Sequence, residues 1–485
     1  MQKIIILGAG PAGIALGMKL ISRPDLHTEI VIIEKESYVG GMASSFEYEG
    51  LYFDYGSHRL HRMTAPEILH DIRSLLGPDL LDRPRNGRIR LLGRFVRFPL
   101  KPLDFAMHLP PSFLGGIARD MITKPFKQRN KYHTSFSDVL LDGLGETVCK
   151  KFYFPYARKL WGMPPEKIGA IQAHRRISAK SMGKMIRKAL GVIPGLKAIG
   201  GGHFHYPCKG IGQICQAILH EFERKGGKIL LSTAIQGIFL ENAQKIKILT
   251  VPNQVSQGVK DSDTDSGSKT HMADMVFSTI PINRLINSLR PEPPEDVIEA
   301  SCNLRYRGMV LCYLILEADH FTPYDAHYFP EDDVIFSRLS EPKNYSMAVE
   351  PRGTTGLCAE IPCWVGDDIW NASEDETSRI VINDLGRSGL PVKSLVKAAF
   401  ARRLSQAYPV YDLEYEQQFQ VVERYCGQIT GIISLGRQGL FVHDNIHHSL
   451  EMAYAASKCL RSDGSWNSVI WQDHMERFKT FIVED

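Results

Sequence analysis

The residues best suited to chemistry open the chain: Gly8-Ala9-Gly10-Pro11-Ala12-Gly13, then Glu34-Lys35, then Gly40-Gly41-Met42-Ala43. Gly8 allows a tight turn, Gly10 lets backbone approach a pyrophosphate, and Gly13 lets the following helix pack closely on a sheet. The positive end of that helix then faces the phosphates, with Pro11 and Ala12 in the turn. Glu34 stands about 20 residues past the last glycine, where a ribose hydroxyl needs an acceptor. Dinucleotide binding is therefore the first expectation. A second group, His58, Arg59, His61 and Arg62, is a dense basic cluster suited to orienting an anionic substrate.

The elements that must position these residues follow from hydrophobic patterning. Residues 3–7 read as a buried strand, 14–20 as a helix and 29–33 as a second strand. Residues 64–200 are rich in helix-length apolar patterns broken by Pro-containing turns. A return to α/β structure occurs near Gly202, with an amphipathic helix over 213–225 and a strand over 228–232. Residues 234–280 read as a β-meander interrupted by a polar loop at 254–270, with a strand over 275–279 ending at Pro281. Between 303 and 425 strands are expected, such as 309–316 and 421–424, with helices between them. Residues 436–460 read as a glycine turn followed by a long amphipathic helix.

The chain has 485 residues, 44% hydrophobic and 23% charged, enough for two or three lobes of an ordinary globular protein. A net charge of +4 at this length argues against nucleic-acid binding. The nine cysteines show no C-x-x-C and no metal-ligand spacing, so they read as reduced thiols and no metal is expected. The first strand begins at the N-terminus, which argues against a cleavable signal, and no apolar run approaches the ~18 residues that span a bilayer. The expectation is a cytoplasmic protein of undetermined oligomeric state whose partner is a small-molecule substrate. The stretch from Phe95 to Leu114 is apolar with basic flanks. It reads as cleft lining, with a peripheral membrane contact as the other reading.

Together these segments resemble the FAD-containing amine-oxidase superfamily, most closely its UDP-galactopyranose-mutase-like and protoporphyrinogen-oxidase-like branches. The resemblance rests on the opening glycine motif with Glu34 and Gly40-Gly41, and on Asp54-Tyr55-Gly56-Ser57-His58, similar to a D-x-G-x-H stretch near the isoalloxazine ring. It rests further on Tyr156 to Trp161, similar to the mutases' Y-x-x-K-x-W segment, on Phe277 to Pro281, and on Gly436-Arg437 with Asn445 and His448. It implies an α/β fold: a discontinuous Rossmann-type FAD-binding domain of residues 1–62, 202–300 and 415–475, and a mixed α+β substrate domain. The latter would comprise a helical part, 63–201, and a mostly β part, 301–414. FAD is favoured over NAD because a second glycine-rich element, far downstream, precedes a helix whose N-terminus would stabilise negative charge on a reduced flavin.

The resemblance also implies site roles. Cofactor contacts fall on Gly8, Gly10, Pro11, Ala12, Gly13, Glu34, Lys35, Gly40, Gly41, Met42, Ala43, Gly56, Ser57, His58, Gly436, Arg437, Asn445 and His448. Substrate contacts fall on Arg59, His61, Tyr156, Trp161 and Arg176, with His58 and Arg176 as the catalytic candidates. Arg176, in His174-Arg175-Arg176-Ile177, falls where the mutases carry one of two arginines that hold the substrate diphosphate, a task its planar fork suits. A charge at a helix end is its other reading. The departures are a leucine, Leu316, where the mutases carry a second phosphate-holding arginine, and Val442-His443 where they carry a tyrosine. The expected activity is hydride transfer between substrate and flavin N5. A mutase-like reaction without net redox change and a non-catalytic flavin-binding protein are the alternatives.

Overall fold

A computed structural model describes residues 1–124, 133–176, 202–242, 245–253 and 267–483. Its first layer is a parallel five-stranded sheet ordered Lys228–Leu230, Thr28–Ile33, Gln2–Leu7, Met275–Ser278, Ile432–Ser434. In chain order that is third, second, first, fourth, fifth, so the direction of winding reverses between the strands of Leu7 and Ser278. Ile4–Leu7 and Ile30–Ile33 are apolar on both faces, as strands covered on each side require. Helices Pro11–Ile21, Gln213–Arg224 and Ile446–Cys459 pack together on one face. Here Gly17 sits so close to Ile32 and Phe222 that a methyl group would crowd both. The mixed α/β class and Rossmann-type layer expected from the sequence are thus observed.

Beyond it, the meander Thr233–Asn242, Lys245–Pro252 and Lys269–Ala273 is antiparallel, with Leu289–Arg290 added at one edge. Most of the expected polar loop, 254–266, lies outside the described residues, and its last residues, Lys269 and Thr270, belong to a strand.

The second layer is a seven-stranded sheet ordered Val396–Pro409, Tyr306–Leu316, Thr355–Cys363, Arg338–Ser340, Ala326–Tyr328, Gly87–Leu91, Arg94–Phe98. This corrects two expectations. The stretch 63–201 is not simply helical: residues 80–98 form three strands, two of which extend this sheet from outside its own sequence block. Short strands with Pro-rich flanks carry too little periodicity to be told from helix by pattern alone. Residues 421–424 are helical, inside Tyr415–Gln428, because Tyr415, Phe419 and Val422 share one apolar face that packs into the core. A three-stranded sheet of Leu60–His61, His203–Pro207 and Leu80–Pro84 links the layers. None of the nine cysteines is paired. Among the described residues, no helix is long and apolar enough to cross a membrane.

Candidate functional site

Three strands of the parallel sheet end in turns that meet. Leu7 runs into Gly8, Ser278 into Thr279, and Ser434 into Gly436. Thr279 Oγ1 donates to the Leu7 carbonyl at 2.9 Å, and the Gly8 N–H donates to the Ile33 carbonyl at 2.8 Å. The Gly40 N–H donates to the Ala9 carbonyl at 2.8 Å. Gly436, at φ 79°, lies so near the first helix that an added Cβ would come 2.9 Å from that of Ala12. A cavity of about 610 Å³ opens here, at the carboxyl ends of the strands where the winding reverses, the usual ligand position in open α/β sheets.

The two inner glycines of the first turn do different work. A Cβ on Gly13 would fall 2.0 Å from the Gly8 carbonyl oxygen, so this glycine is required by the fold itself. A Cβ on Gly10 would meet nothing within 4 Å, so its bareness serves only something entering the cavity. Glu34 closes that end. It is buried, and its two carboxylate oxygens accept the Ala9 N–H at 2.7 Å and the Glu36 N–H at 3.0 Å. Each oxygen keeps a lone pair for a further donor. Burial pushes the carboxyl pKa up, against the pull of those two N–H groups.

The opposite wall comes from the seven-stranded sheet. Arg338 and Glu360 face each other in register and form a bidentate pair, 2.8 and 2.7 Å, with Glu360 2% exposed. Burial works against the Arg338 charge, but Glu360 holds its pKa well above the ordinary value. The same carboxylate accepts the Ser57 N–H at 2.6 Å, so the sheet grips the turn of Gly56 and Ser57 directly. The His58 Nε2–H donates to the Tyr55 carbonyl at 3.0 Å, which leaves Nδ1 as an acceptor. Burial first, then the Arg338 charge, push the His58 pKa down to about 4. It is therefore a neutral, weakly basic ring, suited to orienting a ligand rather than to abstracting a proton. Arg402 donates to the Tyr55 hydroxyl at 3.0 Å and lies over the Phe46 ring at 4.0 Å. Several buried polar atoms of cavity-lining residues, among them Arg59 Nε, Arg402 Nε, Arg437 Nε and Gln438 Oε1, have no hydrogen-bond partner among the described residues. Such atoms call for a polar ligand.

Of the residues expected from sequence, Gly8, Gly10, Pro11, Ala12, Glu34, Lys35, Gly41, Met42, Ala43, Gly56, Ser57, His58, Arg59, His61, Gly436, Arg437 and Asn445 line the cavity. Gly13 and Gly40 shape its turns from behind. Others are placed elsewhere. His448 caps its helix, accepting the Asn445 N–H at Nδ1, and stacks on Phe481. Trp161 is buried against Phe136, and Tyr156 packs beside Phe152; neither borders the cavity, because that helix spends its aromatic face on packing. Lys159 bridges the lobes through the carbonyls of Phe329 and Phe336 at 2.7 and 3.2 Å. Arg176 ends the helix Ala170–Arg176, and its side chain lies outside the described residues. Among the described residues, none of 95–114 lines the cavity, which corrects the cleft-lining expectation. Asp54 also faces away from it. It is the buried acceptor for Ser45 Oγ, Tyr206 OH and the Ile211 N–H, and so stitches the D-x-G-x-H stretch to the Gly210 turn.

The sequence reading missed Arg338, Glu360, Arg402 and Gln438. A signal for Glu360 did exist: it is the lone acid in the apolar strand Thr355–Cys363, and a buried carboxylate demands a partner. Arg338 had none.

Comparison with known proteins agrees with this geometry. A family described as NAD(P)-binding Rossmann-like domain matches residues 6–75. The dTDP-fucopyranose mutase of Escherichia coli is 24% identical over 175 residues, 35% of this chain and 44% of that protein. The chain thus matches less than half the length of that relative. A reduced UDP-galactopyranose mutase superposes with TM-score 0.79 at 19% identity, covering 100% of both chains. A protein named as a putative protoporphyrinogen oxidase, from an Exiguobacterium species, superposes with TM-score 0.70 at 16% identity over 98% of this chain and 99% of its own. Putrescine oxidase bound to putrescine gives 0.62 at 13% identity over 94% and 98%. The chain shares its overall fold with these three structures.

Proposed function

We propose that this protein is an FAD-dependent oxidoreductase that acts on an anionic small molecule. The observation that carries the reading is the meeting of Gly8, Thr279 and Gly436, from both ends of the chain, on one cavity whose far wall holds Arg338 and Arg402. The residues present fit the cofactor. The open space over Gly10 admits a diphosphate beside the N-terminus of helix Pro11–Ile21. Glu34 has lone pairs left for ribose hydroxyls, and the unpartnered Arg402 Nε and Gln438 Oε1 await polar atoms.

Bound there, FAD supplies the redox chemistry, accepting or returning a hydride at flavin N5. The chain's own residues bind and orient. Gly10 and Gly41 offer backbone, Glu34 takes the ribose, and Arg59 and Arg402 bring positive charge toward the substrate. His58 offers Nδ1 as an acceptor and, with its pKa at about 4, stays uncharged at neutral pH. Arg338 is already committed to Glu360, so it acts on the field of the site and holds the Ser57 turn in place.

Purified protein is expected to be yellow and to lose that colour anaerobically when a substrate donates hydride. A colourless protein that refuses added FAD would overturn the proposal. A mutase-like reaction is the second reading, favoured by the similarity to the two mutases. Leu316, where that resemblance expects an arginine, is fully buried within the strand Tyr306–Leu316, which weighs against it. The two separate cleanly: turnover of a sugar nucleotide only after prior flavin reduction, with the flavin still reduced afterwards, would select the mutase.

A further inference from the structure

We propose that the two consecutive helices Pro102–His108 and Pro111–Thr123 seat this protein on an anionic phospholipid surface. The first helix turns Phe105 inward against Phe113 of the second, with ring centroids 6.3 Å apart, while Leu109, Phe113 and Ile117 are buried beneath. Leu103 and Met107, one helical turn apart, point the other way and are 71% and 63% exposed. Ile122 near the end of the second helix is 69% exposed. Nothing among the described residues covers them.

The charges around these side chains select the occupant. Residues 94–124 contain five Lys and Arg against two Asp, in a chain whose overall excess is only +4. Both acids are turned in: Asp104 accepts the Arg97 N–H at 2.7 Å, and the buried Asp120 accepts the Thr147 N–H at 2.6 Å. Arg94, Arg97, Lys101 and Arg119 are exposed. Arg97 and Arg119 share their charge with Asp104 at 3.5 Å and Asp120 at 3.7 Å, whereas Arg94, among the described residues, donates only to the His108 carbonyl, at 3.1 Å. Exposed apolar side chains ringed by outward cations match the interface of an anionic bilayer, apolar groups dipping between headgroups and cations meeting phosphates. Nucleic acid offers Leu103 and Met107 no apolar counterpart, whereas a bilayer offers an apolar interior directly beneath its anionic headgroups. The patch also adjoins the cavity. Phe98, in the strand leading to it, packs on Tyr328 and lies under the guanidinium of Arg85, which lines the cavity beside the exposed His203.

The test uses the full-length, FAD-loaded protein and cosedimentation with vesicles of phosphatidylcholine, alone or mixed with phosphatidylglycerol. The wild type is expected to bind the mixed vesicles, less at high salt, and to ignore the neutral ones. The double variant Leu103→Asp/Met107→Asp should lose at least about tenfold in affinity. Arg94→Glu and Lys101→Glu should each lose about fivefold or more. All three should keep their flavin content, and Arg424→Glu, at an exposed site elsewhere, should bind as wild type does. Absence of binding to mixed vesicles, equal binding by the Leu103/Met107 variant, or preferential binding to duplex DNA or RNA would each overturn the proposal. Its fate is separable from that of the proposed function: colourless protein that binds vesicles defeats the flavin reading alone, and yellow protein that ignores them defeats this one alone.

Discussion

One wall of the cavity is backbone, and the wall facing it is ionised side chain. The first is made where the parallel strands end, at Gly8–Gly13, Thr279 and Gly436, within turns that carry few side chains. The second is made by Arg338 and Glu360 on neighbouring strands of the seven-stranded sheet, with Arg402 on its edge strand beyond Tyr306–Leu316. Backbone N–H groups and a helix end recognise a phosphate at little desolvation cost, and they tolerate almost no added atoms. A buried ion pair is the reverse. It accepts changes of shape more readily than the loss of one partner, because the surviving charge is then stranded away from water.

Breaking the side-chain wall should therefore produce the largest loss of stability. Glu360→Ala strands the Arg338 guanidinium and removes the acceptor of the Ser57 N–H, and should cost about 3–5 kcal/mol in chemical denaturation. Next comes Gly13→Ala, whose methyl would collide with the Gly8 carbonyl. It should cost about 3 kcal/mol and lose FAD together with stability. Glu34→Ala should act on the ligand instead, weakening FAD by about 1.5–3 kcal/mol in a titration, the range for hydrogen bonds to a charged group. Gly10→Ala sharpens the contrast most: its methyl enters empty space, so unfolding should shift by less than about 0.5 kcal/mol while FAD binding is lost. If Gly10→Ala retained full FAD affinity, the backbone wall would not be the phosphate site.

Acid should affect the molecule as a whole. Burial holds His58, His327 and His448 down to about 4 and His447 down to about 2, all below the ordinary 6.5. Burial also raises Asp54 and Asp444 to about 6 from 3.8. The histidines take up protons on unfolding between about pH 4 and 6.5, so their contribution is present above 6.5 and declines as pH falls. The aspartates act with opposite sign between 3.8 and 6. Among these six groups the four histidines outweigh the two aspartates, so their joint contribution to stability should fall as the pH drops from 6 to 4. A melting temperature that stayed flat across that window would mean these histidines are wet in solution.

The backbone wall was legible in the sequence because glycine, helix start and terminal acid lie within one βαβ unit, and local spacing alone brings them together. The second glycine turn, at Gly436, was legible as a turn, but its meeting with the first came only from resemblance. The side-chain wall was opaque: Arg338 and Glu360 are 22 residues apart on separate strands, and their meeting depends on antiparallel register. The same logic explains two element errors. Residues 80–98 carry too short a pattern to show that they would complete a sheet begun two hundred residues later. Residues 421–424 read as a strand only when detached from Tyr415 and Phe419, the rest of their helical face.

By itself, then, the sequence determined the parallel sheet, its glycine turns and the acid at Glu34, since each rests on the conformational needs of residues close in the chain. Tertiary structure alone decided which charges would face that turn and which aromatics would be spent on packing. Those outcomes depend on strand register and burial, which no run of neighbouring residues encodes.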